Sequence, residues 1–349
     1  VQVHMVAPRY GNEADTADIE RVRGWQVPGD PEDRLLHWRA MHRAVLLASG
    51  DCDLIHIQTP FVAHYAGLKA ARALNKPVIA TYHTLFEEYL HHYAPMLPAR
   101  WLRGQARAWS RRQCNALDAV VVPSSAMRAR LQEYGVTSAM HVLPTGIPVQ
   151  NFANADGTAF RARHGIAGTR PVALFIGRVA HEKNIGFLLQ ALQHALPLRP
   201  DLLLVIAGEG PARTELQQQV ARMQLQDSVQ FIGYLERERE LPACYAAADV
   251  FAFASLTETQ GLVLLEAMAA GTPVIALAEM GTADILDAAP CAIVPPADPA
   301  AFGQQLGELF TKPQRLDRLR QQAHAYANAW SDSAMAGKLA RLYRSLAEA

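Results

Sequence analysis

Basic residues follow one of the short apolar runs in the second half of this 349-residue chain. The run at 172–176 is followed by Gly177 and Arg178, and Lys183 comes shortly afterwards. A glycine turn between a strand and a helix N-terminus presents backbone N–H groups to an anion. Arg178 adds a planar guanidinium and Lys183 a compact ammonium charge. The combination predicts a diphosphate site, and its alternative is a surface turn with two solvated bases.

Two glutamates occur at the ends of a second motif, which reads Glu258-Thr259-Gln260-Gly261-Leu262-Val263-Leu264-Leu265-Glu266. Glu258 falls in the loop after the apolar run at 250–254, and Gly261 is predicted to begin a helix with free N–H groups. Glu266 lies inside that helix among leucines, where a carboxylate is costly to bury unless it is hydrogen-bonded. Hydroxyls of a sugar or a ribose would satisfy it. The alternatives are a glutamate salt-bridged within the core and, for Glu258, a solvated loop carboxylate.

Three further strand ends carry weaker signals. Gly208 and Glu209 follow the run at 202–207, and Tyr234 and Leu235 follow the run at 229–232. Ligands bind at such ends in open α/β sheets, so the second pair is a candidate nucleobase contact. His83 follows the run at 78–82, and a capping histidine is one interpretation of it.

Buried strands and helices must hold these residues in place. Apolar runs of four to six residues alternate with amphipathic segments in two successive series, which is typical of parallel sheets covered by helices. The pattern predicts an α/β protein with two doubly wound domains. A stretch rich in Pro, Gly and Asn at 144–157 is the expected boundary between them.

Composition excludes several classes of protein. The 33 Lys and Arg balance the 33 Asp and Glu, which argues against a dedicated nucleic-acid binder. No apolar run is long enough to span a membrane, and no signal peptide opens the sequence. The four cysteines form no CxxC pair, so neither zinc nor a disulfide framework is indicated, and a cytoplasmic location is expected.

The motifs at 177–183, 208–210 and 258–266 together resemble the retaining GT-B glycosyltransferases of glycosyltransferase family four. The resemblance implies two Rossmann-like domains that face a cleft holding a nucleotide-sugar. It implies donor-binding roles for Gly177, Arg178, Lys183, Gly208, Glu209, Tyr234, Leu235, Thr259, Gln260, Gly261, Leu262 and Glu266. It implies that His83 and Glu258 act on the transferred sugar and that neither a metal nor a cofactor is needed.

The same resemblance sets expected domain bounds. Residues 1–150 form the acceptor-side domain, 151–329 the donor domain, and 330–349 a helix that crosses back to the first domain. Residues 1–10 match the family's second strand, so its first strand, Gly-rich loop and helix are expected to be missing from the sequence.

Local motifs at 83–93 and 258–261 resemble the bacterial diacylglycerol glucosyltransferases within the family. A basic helix is predicted in the 100–112 region, with Arg100, Arg103, Arg107 and Arg111 on one face. Such a face suits an anionic membrane surface, and a solvated helix is its alternative. We therefore expect a cytoplasmic enzyme, peripheral on the inner face of the membrane.

The expected reaction is hexose transfer from a nucleotide diphosphate sugar, with UDP-glucose favoured, to a lipid or another hydroxyl acceptor such as a glycan. A mannosyltransferase that uses GDP-mannose is the near alternative, and a nucleotide-sugar 2-epimerase is a more distant one. Outside the enzymes, a two-domain sugar-binding protein remains open.

Overall fold

A computed structural model describes residues 1–11, 16–27, 30–83 and 99–348 of the chain. Contacts divide the chain into two compact units. Unit 1 comprises Val1–Pro144 with Gly337–Ala349, and unit 2 comprises Thr145–Ala336. The predicted α/β class, with parallel sheets in two domains, is confirmed.

Unit 2 is built on a six-stranded parallel sheet. Its strands are β9 (Val172–Ile176), β10 (Leu203–Ala207), β11 (Val229–Gly233), β12 (Val250–Phe253), β13 (Val274–Ala276) and β14 (Ala292–Ile293). Their spatial order is β11-β10-β9-β12-β13-β14, so the chain starts in the middle, builds one side, and then returns to build the other. This is the strand order of a doubly wound nucleotide-binding fold.

Helices cover both faces of this sheet, which explains why every residue of β9, β10 and β12 is buried. The helices of unit 2 span Gly157–Arg163, Ile185–Ala195, Arg213–Arg222, Glu240–Ala246, Leu262–Ala269, Gly281–Leu286, Pro299–Thr311 and Pro313–Asn328.

The strands of unit 1 fall into three groups. A four-stranded parallel sheet contains β5 (Ile55–Ile57), β6 (Val78–Thr81), β7 (Ala119–Val122) and β8 (Ala139–Val142) in that order. A parallel pair joins β1 (Met5–Pro8) to β2 (Ile19–Val22), and an antiparallel pair joins β3 (Gly24–Val27) to β4 (Asp30–Leu36).

The helices of unit 1 span Trp38–Ala48, Val62–Leu74, Ala99–Cys114 and Ser125–Glu133. The last helix of the chain, Asp332–Ala347, belongs to unit 1 from Gly337 onward. Its Leu342 packs with Ile79, Ala119 and Val121 of the four-stranded sheet. This packing brings the C-terminal helix into the core of unit 1.

Candidate functional site

The carboxyl ends of β9 and β12 define the reversal point of the unit 2 sheet. These two strands are hydrogen-bonded neighbours, with Val250 beside Ala173 and Phe251 beside Leu174, and the chain departs from them in opposite directions. Ligands of open α/β sheets bind in the crevice outside such a point. Arg178 and Lys183 follow β9 and Glu258 follows β12, so the sheet brings the first two predicted groups together here.

Two hydrogen bonds fasten the loops that leave these strands. The Asn184 amide donates to the Ala254 carbonyl at 3.2 Å, and the buried Ser255 hydroxyl donates to the Glu182 carbonyl at 3.2 Å. Asn184 can make its contact because it adopts a left-handed backbone conformation with φ 53°. The loop after β9 is therefore held against the loop after β12.

Lys183 and Glu258 form an ion pair at this edge. Lys183 Nζ donates to Glu258 Oε2 at 2.6 Å, and the two side chains are 20% and 22% exposed. Both groups therefore remain accessible, while partial burial strengthens their attraction relative to a pair in open water. The predicted diphosphate cation and the predicted sugar carboxylate lie in direct contact.

Close approach of neighbouring backbone explains why residue 208 is a glycine. A Cβ on Gly208 would lie 2.0 Å from the Gly177 carbonyl oxygen, and its φ of +127° is unfavourable for other residues. Its N–H also donates to the Gly233 carbonyl at 2.7 Å. The glycine at 208 thus allows the backbone at the end of β10 to contact the backbone at the ends of β9 and β11, with no side chain between them.

Arg178 and Glu209 occupy the exposed rim of this edge. The Arg178 side chain is 62% exposed and its guanidinium lies 3.7 Å from the Glu182 carboxylate, which is a weak surface pair. Glu209 is exposed and pairs with Arg213 one helical turn away. Arg178 is therefore available to an anion, whereas Glu209 already has a cationic partner.

The Leu262–Ala269 helix begins at Gly261, as the sequence predicts. Gly261 has φ +85° and no side chain caps this helix. Its N-terminal N–H groups therefore contribute a positive partial charge on the same side of the sheet as Glu258.

Glu266 lies inside that helix and is buried, with 7% of its surface exposed. The hydroxyl of the fully buried Tyr245 donates to Glu266 Oε2 at 2.9 Å, and an Arg237 nitrogen lies 4.0 Å from Oε1. Burial raises the pKa of Glu266, while the Tyr245 hydrogen bond and the Arg237 charge act in the opposite direction. Burial, followed by the Glu266 charge, raises the pKa of Tyr245 well above its usual range.

The remaining predicted donor contacts occupy varied positions. Tyr234 is 77% exposed at the end of β11, and Leu235 packs partly against the core. Gln260 is buried and its amide donates to the Thr145 carbonyl at 2.7 Å, so its side chain already serves the structure of unit 2. Thr259 and Leu262 are half-buried beside the helix start.

In unit 1, His83 follows β6 and is hydrogen-bonded to Gln58, which follows β5. His83 Nε2 lies 3.0 Å from Gln58 Oε1. Both residues line a cavity of about 600 Å³ whose walls also include Pro8 of β1 and Leu36 of β4. Partial burial lowers the pKa of His83. The segment after His83 that carries the glucosyltransferase-like motif lies outside the described residues at 84–98.

The basic helix occurs at Ala99–Cys114. Its buried side includes Leu102, Ala106 and Ser110. The predicted arginines are exposed on its other side, together with Trp101, which is 55% exposed; they are Arg100, Arg103, Arg107, Arg111 and Arg112.

Two kinds of feature are absent from the described residues. In that part of the chain, no helix is both long and apolar enough to cross a membrane. The same residues contain no group of three or more His, Cys, Asp or Glu side chains arranged to hold a metal ion.

Sequence reasoning missed several residues that shape these sites. Tyr245 and Arg237 contact Glu266 from other elements, and no local pattern indicates either contact. Gln58 could have been found, because it directly follows β5 at the same sheet edge as His83. Asn184 also carried a signal, since an Asn between a strand and a helix often adopts the left-handed conformation.

Comparison with known proteins defines the class. Residues 156–326 match the family model "Glycosyl transferases group 1", and residues 1–151 match "Glycosyltransferase Family 4". The chain belongs to this glycosyltransferase family, and the resemblance read from its motifs is confirmed.

Among sequence relatives, the chain is 35% identical to the alpha-monoglucosyldiacylglycerol synthase of Streptococcus pneumoniae, over 74% of this chain and 61% of that protein. It is 32% identical to the D-inositol 3-phosphate glycosyltransferase of Xylanimonas cellulosilytica, over 83% and 71%. It is 31% identical to a GDP-mannose-dependent alpha-mannosyltransferase of Mycolicibacterium smegmatis, over 70% and 60%. The chain thus matches less than two thirds of the length of the first and third of these relatives.

Solved structures share the fold. Anabaena Alr3699/HepE, crystallised with UDP and glucose, matches with a TM-score of 0.73 and 20% identity over 94% of this chain and 86% of that one. Sucrose-phosphate synthase from Thermosynechococcus elongatus matches with a TM-score of 0.74 and 22% identity over 99% and 89%. Both units therefore belong to the GT-B fold.

Proposed function

We propose that this chain is a retaining hexosyltransferase that moves glucose from UDP-glucose to a lipid hydroxyl. One observation carries the proposal. Lys183, Glu258 and the uncapped start of the Leu262–Ala269 helix lie at one edge of the unit 2 sheet, at the point where the strand order reverses. A nucleoside diphosphate sugar needs cations for its phosphates and acceptors for its hydroxyls, and this edge offers both.

Charge stabilisation is the proposed role of the basic groups. Cleavage of the bond between sugar and diphosphate leaves negative charge on the phosphate oxygens. Lys183 has three N–H donors, of which one is directed to Glu258, so the others are available to those oxygens. Arg178 adds a further cationic donor. The helix N–H groups add donors that are fixed before the reaction, and such preorganised donors stabilise developing charge effectively.

Hydroxyl recognition is the proposed role of the carboxylates. Tyr245 occupies Glu266 Oε2, so Oε1 is the oxygen that a ribose hydroxyl would reach. Glu258 would accept hydroxyls of the transferred sugar while remaining paired with Lys183. A hydrogen bond to a charged group contributes about 1.5–3 kcal/mol, and two such contacts would discriminate strongly against ligands without hydroxyls.

The relatives support a lipid acceptor and leave two donors to compare. The S. pneumoniae relative is named as a glucosyldiacylglycerol synthase, which favours glucose, and the M. smegmatis relative as a GDP-mannose-dependent enzyme. The near alternative is therefore a mannosyltransferase. We also propose that transfer needs no metal and that the enzyme works at the cytoplasmic face of a membrane, to which the exposed arginines of the Ala99–Cys114 helix bind.

The test is a transfer assay with vesicles that contain diacylglycerol or glucosyldiacylglycerol as acceptor. Purified protein is incubated with UDP-glucose or GDP-mannose in the presence of EDTA, and the product's anomeric configuration is read by NMR. We expect an α-linked glucolipid from UDP-glucose, and loss of it in Glu258→Ala. A mannolipid product would contradict the proposed donor, and a β-linked product would contradict the retaining mechanism. Undiminished transfer by Glu258→Ala would contradict the proposed role of Glu258. The surface variant Glu308→Ala is the control, since Glu308 pairs with Gln304 and Lys312, which are surface groups of its own helix region.

A further inference from the structure

Four polar side chains of unit 1 form a continuous hydrogen-bonded chain that ends at His83. Tyr343 of the C-terminal helix lies with its hydroxyl 2.6 Å from His56 Nδ1. The Gln58 amide nitrogen lies 3.2 Å from His56 Nε2, the shorter of its two contacts with that ring. Gln58 Oε1 then lies 3.0 Å from His83 Nε2. Thr81 completes the cluster, with its hydroxyl 2.7 Å from His56 Nε2.

The chemistry of the amide sets the proton position on His83. The Gln58 nitrogen can only donate. It lies 3.2 Å from His56 Nε2 and 3.4 Å from Nδ1, so it faces an acceptor on the His56 ring in either tautomer, while the hydroxyls of Thr81 and Tyr343 contact Nε2 and Nδ1. The Gln58 oxygen can only accept, so His83 donates from Nε2. This leaves the lone pair of His83 on Nδ1, which accepts no hydrogen bond from the residues that the structure describes.

Electrostatics favour the neutral form of both rings. Burial, followed by the neighbouring His83, lowers the pKa of His56 to about 4, and burial lowers the pKa of His83. Burial raises the pKa of Tyr343 to about 12, so it stays a neutral hydroxyl. The same cavity is lined by five further ionisable groups, namely Tyr10, Arg34, His64, Tyr82 and Cys114. None of these is a carboxylate that would favour an imidazolium at His83.

We propose that Gln58 is the positioning residue for His83, and that His56 and Tyr343 hold Gln58 in its working orientation. The proposal rests on the proposed function and on the role that the family resemblance implies for His83, which is to act on the transferred sugar. Gln58 fixes His83 as the neutral tautomer protonated at Nε2, so that His83 Nδ1 accepts a hydrogen bond from a sugar hydroxyl. Through Tyr343, the C-terminal helix thereby helps to orient His83, which lies about 260 positions earlier in the sequence.

The direct test is NMR of the full chain labelled with ¹⁵N-histidine, recorded across pH without any substrate. In the unmodified protein we expect His83 to be protonated at Nε2 and neutral at pH 7. Gln58→Glu places a carboxylate against His83 and should raise its pKa by about one unit or more. Gln58→Leu should give a mixture of tautomers. Gln218→Glu introduces the same charge at an exposed position of unit 2 and should leave His83 unchanged.

Tyr343→Phe tests the outer part of the chain. It removes the hydroxyl partner of His56 Nδ1, so the His56 signals should change strongly and the tautomer preference of His83 should weaken. Circular dichroism establishes that each variant is folded. A wild-type His83 present as both tautomers, or a His83 signal that is the same in Gln58→Glu, would overturn the proposal.

Kinetics separate this proposal from the proposed function. In the transfer assay, Gln58→Glu should move the acidic limb of the kcat profile to higher pH and leave the KM for the donor within about twofold. An acidic limb that does not move, with the expected NMR result, would show that Gln58 positions His83 without affecting transfer and would overturn the catalytic part. Absence of transfer by the unmodified chain, with the expected NMR result, would refute the proposed function and leave the positioning of His83 standing.

Discussion

Lys183 and Glu258 lie 2.6 Å apart although 75 residues separate them in the sequence. They meet because β9 and β12 are adjacent strands whose following loops leave the same edge of the unit 2 sheet. Each side chain is about one fifth exposed, so the pair is neither a surface contact nor a sealed core pair. Its position makes it a preorganised polar contact that a bound diphosphate sugar would extend.

The first prediction concerns the strength of this pair. In a double-mutant cycle with Lys183→Ala and Glu258→Ala, we expect a coupling energy of about 1 kcal/mol in the free energy of unfolding, because the pair is partly desolvated. The surface pair of Lys312 and Glu308, 2.8 Å apart on one helix region, is the matched control and should couple by less, about 0.3–0.5 kcal/mol. Urea unfolding of the variants gives both values. Equal coupling in the two pairs would show that the Lys183–Glu258 contact is not specially placed.

The second prediction concerns Glu266, whose burial raises its pKa. A buried carboxylate with a raised pKa makes the charged folded state costly at neutral pH, and the cost disappears as pH falls below the folded pKa. Glu266→Gln removes the charge and keeps an acceptor for Tyr245. We expect it to stabilise the free protein at pH 7 by about 1 kcal/mol, or about 2–4 °C in Tm, while UDP affinity falls at least tenfold.

Tyr245→Phe serves as the comparison for Glu266→Gln. It keeps the carboxylate and removes its hydrogen-bond donor, so the free protein should become less stable at pH 7 by about 1–3 kcal/mol. Calorimetry of both variants at pH 5 and pH 7 checks the signs. If Glu266→Gln destabilised the protein while UDP still bound normally, Glu266 would be a structural core residue and not a ligand contact.

The third prediction concerns the acid stability of unit 1. Burial lowers the pKa of His64 to about 4, and its Nε2 atom is buried without a hydrogen-bond partner among the described residues. The pKa of this histidine in the unfolded chain is about 6.5. As pH falls from about 6.5 to 4, the unfolded chain therefore binds a proton at His64 that the folded chain does not bind. Stability should therefore fall by about 2 kcal/mol between pH 7 and pH 5 on account of His64.

The variant His64→Leu should remove that portion of the pH dependence. Urea unfolding at the two pH values, followed by a probe in unit 1, measures it. His194→Leu at an exposed position of unit 2 is the control and should leave the unit 1 transition unchanged. An unaltered pH dependence in His64→Leu would contradict the assignment of this proton uptake to His64.

The fourth prediction concerns the exposed arginines of the Ala99–Cys114 helix. Each basic residue near an anionic lipid surface contributes about 1 kcal/mol of attraction. Replacement of Arg100, Arg103, Arg107 and Arg111 by glutamine should therefore weaken co-sedimentation with vesicles containing phosphatidylglycerol by at least 100-fold at low salt. Neutral phosphatidylcholine vesicles and high salt are the controls. Equal binding by the fourfold variant would mean that this helix is simply solvated.

Much of the fold could be predicted from the sequence because the parallel strands of both units are short apolar runs. β9 was predicted, as the apolar run at 172–176, with the bounds that the structure gives. The segment that holds β2, β3 and β4 was not predicted to form strands. It lacks such runs, and Trp25 and Leu35 within it are 67% and 57% exposed, so burial leaves no clear signal there.

The candidate site could be predicted only in part. Lys183, Glu258 and Glu266 were each predicted as site residues from a local pattern of strand ends and glycines. The contact of Lys183 with Glu258 depends on strand order, and the contact of Tyr245 with Glu266 depends on how two helices pack. Gln260 was expected to contact the donor, whereas its amide donates to the Thr145 carbonyl, a contact that no local pattern specifies.

Titration calorimetry with UDP tests the donor site in unit 2 without requiring an acceptor. The unmodified chain should bind one UDP, and a concentration 100 times the Kd should stabilise it by about 2.7 kcal/mol. Lys183→Ala should weaken binding by about 10–100-fold, while Lys312→Ala should bind UDP as the unmodified chain does. Failure of UDP, GDP and ADP alike to bind, or equal UDP binding by Lys183→Ala, would contradict the assignment of this sheet edge as a nucleotide-sugar site.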